Sequence, residues 1–194
     1  MNFLAHIYLS FNDPQLALGN FMADSIRGRD YGHLPEGIQN GILLHRSIDT
    51  FTDSHPIPRK SSRRLHGRYS HYSRVIVDIY YDHFLAVKWE RYHPEPLTAF
   101  VEEFYALLIE HREFLPPPVR RLLPHMIRDN WLASYAQLEG IARVLEGMNR
   151  RTRNKSGMQH AIMDLRQHYE SFEAEFEAFF EELIIFSRSK IESL

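Results

Sequence analysis

The sequence predicts an all-α fold, a compact helical bundle formed by a single domain over residues 1–194. Apolar residues recur with the spacing of amphipathic helices along most of the chain, and prolines interrupt this pattern where helices are expected to begin or end. The β-branched run Val75–Val77 could form a strand, yet no second segment shows the strict alternation of a pairing partner. Hydrophobic residues make up 44% of the chain, which is enough for a sizeable core.

Cap and turn residues place the helices in order. The apolar segment 1–10 lacks the basic region and small-residue cleavage site of a signal peptide, so we expect it to belong to the mature structure. Asp13 before Pro14 is a favourable N-cap and first-turn pair, and a run of three prolines at 116–118 ends a later helix. The predicted helices cover residues 14 to about 27, 36 to 55, the segment between Asp53 and Asp78, about 70 to 92, 96 to 115, 119 to 130, 131 to 150, and a long terminal segment after a loop at 149–157.

Composition excludes several classes of protein. The chain has no cysteine, which excludes disulfides, thiolate metal ligands and a cysteine nucleophile, and agrees with a reducing cytoplasm. No apolar run has the length of a membrane span, and no glycine-rich phosphate loop is present. We therefore expect a cytoplasmic protein.

The feature that points to function is a set of ionisable residues among apolar neighbours. Burying such groups singly is costly, so a group of them favours a shared counter-charge such as a divalent metal, with an ion-pair network as the alternative. The set comprises His6, Asp24, His45, Asp49, Asp53, Asp78, Asp82 and His83.

Helical spacing supports the metal interpretation. His45, Asp49 and Asp53 recur at i, i+4 and i+8, which places them along one ridge of a helix, although Asp53 could instead only end that helix. Asp78 and Asp82 repeat the four-residue spacing on a second helix, so two facing helices could supply most of a coordination sphere. Imidazole and carboxylate without thiolate suit Mn, Mg, Fe or a catalytic Zn.

A basic segment lies between Asp53 and Asp78, where the chain has no acidic residue. Such a run is either an ordinary solvated helix face or a surface that binds a negatively charged partner. Its cations include Arg59, Lys60, Arg63, Arg64 and Arg68.

Four groups of residues form recognisable motifs along the chain. They are Met1-Asn2-Phe3-Leu4-Ala5-His6, Gly19-Asn20-Phe21-Met22-Ala23-Asp24 with Arg27-Gly28, His45-Arg46-Ser47-Ile48-Asp49 with Thr52-Asp53, and Asp82-His83-Phe84-Leu85. Together these motifs resemble the acyl carrier protein phosphodiesterase family. The resemblance continues through Trp131-Leu132 and the stretch 144–148, so it covers most of the chain.

This resemblance implies an all-helical, non-standard member of the HD phosphatase and phosphodiesterase superfamily, usually manganese-dependent. Such an enzyme hydrolyses the phosphodiester that joins 4'-phosphopantetheine to a serine of holo-acyl carrier protein and releases the apo-protein. The chain departs from the ordinary HD pattern, because the adjacent His-Asp pair is absent and Asp82-His83 has the reverse order.

The resemblance also implies roles for individual residues. A metal bound by Asp24, His45, Asp82 and His83 would activate a water and polarise a phosphoryl oxygen. Asp49 or His6 would be a further ligand, an orienting residue or a general base, while Arg46 and Arg27 would pair with phosphate oxygens. Arg59, Lys60, Arg63, Arg64 and Arg68 would steer the small, acidic acyl carrier protein.

Two other functions stay open at this point. The chain could be an HD-type phosphohydrolase of a nucleotide or another small phosphoester. It could instead be a helical nucleic-acid-binding protein without catalysis, although the net charge of -2 and the absence of a recognisable reading motif argue against this. We therefore expect a protein partner, no nucleic acid and no membrane, and the sequence leaves the oligomeric state open.

Overall fold

A computed structural model describes all 194 residues and contains helices but no strand, so the all-α prediction is confirmed. Short 3-10 turns follow or join several of the helices. The helices are α1 (Phe3–Tyr8), α2 (Pro14–Met22), α3 (Glu36–Ser54), α4 (Pro56–Tyr69), α5 (Ser73–Val87), α6 (Trp89–Tyr92), α7 (Leu97–Glu110), α8 (Pro117–Arg128), α9 (Trp131–Ser134), α10 (Leu138–Arg151), α11 (Ala161–Gln167) and α12 (Tyr169–Glu192).

Several predicted helices are interrupted or end earlier than the sequence suggested. The helix predicted over 96–115 ends at Glu110, and the long terminal segment is divided between α11 and α12. The one predicted over 14–27 leaves α-helical geometry after Met22, and the one over 70–92 is divided between α5 and α6. The helix predicted over 131–150 is likewise divided between α9 and α10. Here a Cβ on Gly140 would lie 1.9 Å from the Ser134 carbonyl oxygen, so this glycine lets α10 begin directly against the end of α9.

The core is built around the contact between α5 and α12. Four phenylalanines of α12, at positions 172, 176, 179 and 180, are fully buried. They pack against Tyr80, Tyr81 and Phe84 of α5, and α1 covers the adjoining region through Tyr8. The terminal aromatic stripe therefore fixes α5 in the centre of the molecule, with α1 packed against α5 and α3 packed against α12.

Two glycines set the distance between α2 and α3. A Cβ on Gly19 would lie 2.0 Å from the Ile38 carbonyl oxygen, and one on Gly41 would lie 2.8 Å from the Gly19 Cα. The two backbones meet at this point because neither residue has a side chain. The close approach brings the backbone of Asn20 next to His45.

A carboxylate on α5 holds the N-terminus of α1. The backbone N–H groups of Leu4 and Ala5 donate to Asp82 Oδ2 and Oδ1, at 2.8 and 3.2 Å. A helix N-terminus carries unpaired N–H groups and a partial positive charge, so this buried contact satisfies two donors and orients α1. No helix of the protein combines the length and apolarity needed to cross a bilayer.

Candidate metal centre

Three side chains from α1 and α3 form a cluster that could hold a divalent metal ion. One potential ligand atom from each of His6, His45 and Asp49 lies within 4.8 Å of the others. His45 and Asp49 share one face of α3 through their four-residue spacing, as the sequence predicts, while α1 delivers His6 from the side. The same His45 is reached by Asp24, from the 3-10 turn that follows α2.

The cluster has a buried imidazole side and an open carboxylate side. His45 Nε2 lies 3.1 Å from Asp49 Oδ2 and 3.2 Å from Asp24 Oδ1, and His6 Nε2 lies 3.3 Å from Asp49 Oδ1. The two histidines are buried, whereas the Asp49 and Asp24 side chains are 44% and 73% exposed. A ligand could therefore approach the carboxylates from solvent while the imidazoles stay fixed.

The fully buried Asn20 on α2 contacts the Nδ1 atoms of both imidazoles. Its side-chain oxygen lies 2.7 Å from His6 Nδ1, and its backbone oxygen lies 2.8 Å from His45 Nδ1. Asn20 is not among the site residues predicted from the sequence. The available signal was an amide side chain within the apolar run 16–23, inside one of the motifs.

One buried atom of the cluster lacks a hydrogen-bond partner. His6 Nε2 is shielded from solvent and faces Asp49, yet it makes no hydrogen bond. Unpartnered buried polar atoms are rare and costly, so this one is explained if a cation lies between the imidazole and the carboxylate. Two imidazole nitrogens and carboxylate oxygens, without sulfur, are donors that Mn²⁺, Mg²⁺, Fe²⁺ and catalytic Zn²⁺ accept. The residues present therefore fit a divalent ion.

The two histidines differ in the direction in which their pKa values are shifted. Burial and the neighbouring His45 lower the pKa of His6. Burial alone would also lower the pKa of His45, but its contacts with Asp24 and Asp49 outweigh this and raise it to about 9. Burial opposes ionisation of Asp49, yet its contacts with His45 and His6 and the charge of the nearby Met1 amino group hold its pKa far below the usual range. The cluster thus concentrates negative charge at Asp49.

Asp82 and His83, which the resemblance assigned to the metal, do not join this cluster. Both Asp82 oxygens accept the α1 N–H groups, and burial raises the pKa of Asp82 to about 7 against the effect of these donors. His83 Nδ1 donates to the Tyr135 carbonyl at 2.7 Å, and its Nε2 accepts from the Tyr169 hydroxyl at 3.0 Å. Asp82 therefore acts on the site through the placement of α1, and His83 packs elsewhere.

The two arginines expected at the phosphate differ in their side-chain contacts. Arg46 donates to the Gly28 carbonyl at 2.6 Å, and its guanidinium lies 5.2 Å from the centre of the Tyr31 ring. It therefore anchors the loop at 26–35 to α3. Arg27 lies in that loop, is exposed, and has no side-chain hydrogen bond or ion pair.

Most cations of the basic segment already have acidic partners within the chain. Lys60 and Arg64 both contact the buried Glu175 of α12, the latter through two bonds of 2.8 and 2.7 Å, and Arg68 pairs with Asp164. Arg59 donates through its Nε to the Asp53 carbonyl, whereas Arg63 has no ion pair. Two carboxylates, Asp164 of α11 and Glu175 of α12, thus offset part of the positive charge expected from the sequence.

The fold and the cluster together define a class of protein, a helical bundle with a partly open candidate site for a divalent ion. The chain belongs to the acyl carrier protein phosphodiesterase family, whose sequence model matches residues 1–183. This confirms the resemblance seen in the motifs, and it makes the chain an enzyme of the phosphodiesterase type.

Curated relatives match over nearly their whole length. Acyl carrier protein phosphodiesterase of Photorhabdus laumondii is 35% identical over 181 residues, which cover 93% of this chain and 91% of the relative. The proteins of the same name from Yersinia enterocolitica and Pectobacterium atrosepticum are 32% and 30% identical, over 93% and 98% of this chain and 94% and 99% of theirs. No solved structure matches the chain, so the expected likeness to HD domains stays a prediction.

Proposed function

We propose that this chain hydrolyses the phosphodiester between 4'-phosphopantetheine and the serine of holo-acyl carrier protein. The observation that carries the proposal is the His6, His45 and Asp49 cluster, in a chain that matches this family from end to end. In the reaction, a water oxygen bonds to phosphorus, the bond from phosphorus to the serine oxygen breaks, and the serine oxygen takes up a proton. The products are 4'-phosphopantetheine and the apo-protein.

We assign His6, His45 and Asp49 as the residues that hold the metal ion, with Mn²⁺ as the preferred ion. A divalent ion there supplies Lewis acidity, which draws charge from a phosphoryl oxygen and makes water a better nucleophile. Asp24 borders the open side of the cluster, and we assign it to accept a hydrogen bond from the attacking water and so to orient it.

The loop at 26–35 is assigned to the phosphate group. Arg27 is exposed and unpaired close in sequence to Asp24, so its guanidinium is free to bind two phosphate oxygens. Arg46 is already committed to Gly28 and Tyr31, so we assign it to hold the loop in place.

We propose that the basic segment binds the acidic protein partner, and that its cations contribute unequally. Arg59 and Arg63 are exposed and make no ion pair, so their charges are available to an acidic protein. Lys60, Arg64 and Arg68 share theirs with Glu175 and Asp164, which lowers their expected contribution to steering. We place this reaction in the cytoplasm, in keeping with a chain without cysteine.

Intact-mass spectrometry of holo-acyl carrier protein tests the proposal. The chain is incubated with the substrate and Mn²⁺, and separately with a chelator, while Asp24→Asn serves as a variant that keeps the shape of the side chain. We expect loss of the phosphopantetheine mass with Mn²⁺, no conversion with chelator and a large decrease in the variant. Hydrolysis of a small model diester without conversion of holo-acyl carrier protein would instead identify a small-molecule phosphohydrolase.

A further inference from the structure

Asn20 makes four hydrogen-bond contacts, three of which are with the two histidines of the candidate metal centre. Its side-chain nitrogen donates to the His6 carbonyl at 2.7 Å and to Ser10 Oγ at 3.2 Å. Its side-chain oxygen faces His6 Nδ1 at 2.7 Å, and its backbone oxygen faces His45 Nδ1 at 2.8 Å. All of these groups are buried.

These contacts fix the orientation of the Asn20 amide. If the amide were turned over, its oxygen would face the His6 carbonyl oxygen and two acceptors would meet in a buried place. The nitrogen therefore faces the carbonyl and the oxygen faces the imidazole. An oxygen acceptor at 2.7 Å requires a proton on His6 Nδ1.

The same reasoning fixes His45, because a backbone carbonyl can only accept. Both imidazoles thus carry a proton on Nδ1, and a neutral imidazole with that proton has its lone pair on Nε2. For His6 that lone pair faces the Asp49 carboxylate at 3.3 Å without a hydrogen bond. A cation between the two groups would turn this unfavourable contact into two ligand bonds.

We propose that Asn20 is the positioning residue of this enzyme. Its side chain sets the tautomer of the neutral His6, and its backbone oxygen holds the Nδ1 proton of His45, so that the Nε2 atoms of both rings are directed at a divalent ion. The inference rests on the metal-dependent function proposed above. Hydrogen-bond partners of this kind orient metal-binding histidines, and their loss costs about 10- to 100-fold in metal affinity.

The test uses a readout that does not depend on catalysis. Nitrogen-15 NMR of the imidazoles in the metal-free protein reports which ring nitrogen carries the proton. We expect Nδ1–H for His6 in the parent chain, and loss of that state in Asn20→Leu, which removes both the donor and the acceptor. His45 is an internal control, because its contact with the Asn20 backbone remains in the variant.

Binding of Mn²⁺ alone, measured by isothermal titration calorimetry, gives the second readout. Asn20→Leu should bind Mn²⁺ about 10- to 100-fold more weakly than the parent. Asn149→Leu is the matched control, because Asn149 is also a buried asparagine with several hydrogen bonds but lies on α10 in the contact with the 154–157 loop. It should reduce stability without changing the Mn²⁺ affinity.

A conservative variant covers the case in which Asn20→Leu does not fold. Asn20→Asp retains an acceptor for His6 Nδ1 but loses the donor to the His6 carbonyl, so it should keep the His6 tautomer at reduced stability. A proton on His6 Nε2 in the parent chain, or unchanged Mn²⁺ affinity in Asn20→Leu, would overturn the proposal. If the parent shows the expected tautomers and Mn²⁺ binding but does not convert holo-acyl carrier protein, the assigned substrate fails while the role of Asn20 stands.

Discussion

The imidazole rings of His6 and His45 lie stacked, with their centres 4.0 Å apart and their planes 18° from parallel. Two protonated imidazoles at this distance would repel each other, so the stack favours a state with at most one positive charge. That charge resides on His45, which contacts two carboxylates, and His6 is left neutral. The stack therefore places the neutral His6 imidazole, whose Nε2 can act as a metal ligand, beside the ionised Asp49.

Removing an imidazole of this stack should remove the metal-dependent reaction. We expect His45→Ala to lower turnover of holo-acyl carrier protein by at least about 100-fold, because Lewis-acid stabilisation of a transition state amounts to several kcal/mol. Asp53→Ala is the control on the same helix, since the exposed Asp53 carboxylate makes one ion pair, with Arg74 at 3.5 Å, and the substitution leaves its backbone carbonyl in place. Initial rates at saturating Mn²⁺ measure the effect. Equal loss in both variants would contradict the assignment of the cluster.

Asp82→Ala should act on stability. The variant leaves the buried N–H groups of Leu4 and Ala5 without acceptors, at a cost of about 1–3 kcal/mol in the free energy of unfolding. Urea denaturation measures this loss, and Asp82→Asn should lose less because it retains one acceptor. A variant of normal stability that no longer bound Mn²⁺ would show that Asp82 is a ligand after all.

The glycine contact between α2 and α3 should be sensitive to a single methyl group. In Gly41→Ala the new Cβ would lie 2.4 Å from the Leu16 carbonyl oxygen, so α2 must move away. We expect this to lower the free energy of unfolding by about 1–3 kcal/mol. Mn²⁺ binding should also weaken, because α2 carries Asn20, which contacts both histidines. Gly67→Ala on α4 is the matched control, because nothing lies within 4 Å of the added atom. This control should gain up to about 1 kcal/mol from helix propensity. Thermal melting of both variants measures the change in stability, and Mn²⁺ titration measures the change in metal affinity.

Arg64→Ala should change the acid sensitivity of the fold. Burial opposes ionisation of Glu175, but Arg64, Ser61 and Lys60 outweigh it and lower the pKa of this carboxyl below 4.5. A group with a lowered native pKa stabilises the fold above its unfolded pKa, and that contribution is lost as the pH falls through the native value.

The variant should therefore lose more stability at pH 7 than at pH 3, with a loss at pH 7 of about 3 kcal/mol for a broken buried pair. Urea denaturation across this pH range provides the measurement. Arg63→Ala, which removes an arginine without an ion pair, should leave the profile unchanged. Parallel profiles for parent and Arg64→Ala would contradict the assigned ion pair.

Local signals predicted much of the helical organisation because caps and prolines act within a few residues. Asp13 accepts from the Leu16 N–H and begins α2, and α3 follows Pro35, as expected from these residues. The division of the segment 131–150 was not predictable in this way. The division depends on a contact between Gly140 and Ser134. The spacing of apolar residues indicates only which face of a helix is buried.

The sequence by itself determined the helical class, the family motifs and the shared face of His45 and Asp49, because four-residue spacing on a helix fixes which side chains are neighbours. Only the tertiary structure decided which distant residues meet them. The Gly19 and Gly41 contact brings Asn20 to His45, and the Asp82 cap on α1 brings His6 to Asp49. Such contacts join residues far apart in the chain, and the spacing of a single helix carries no information about the depth and angle at which another helix packs against it.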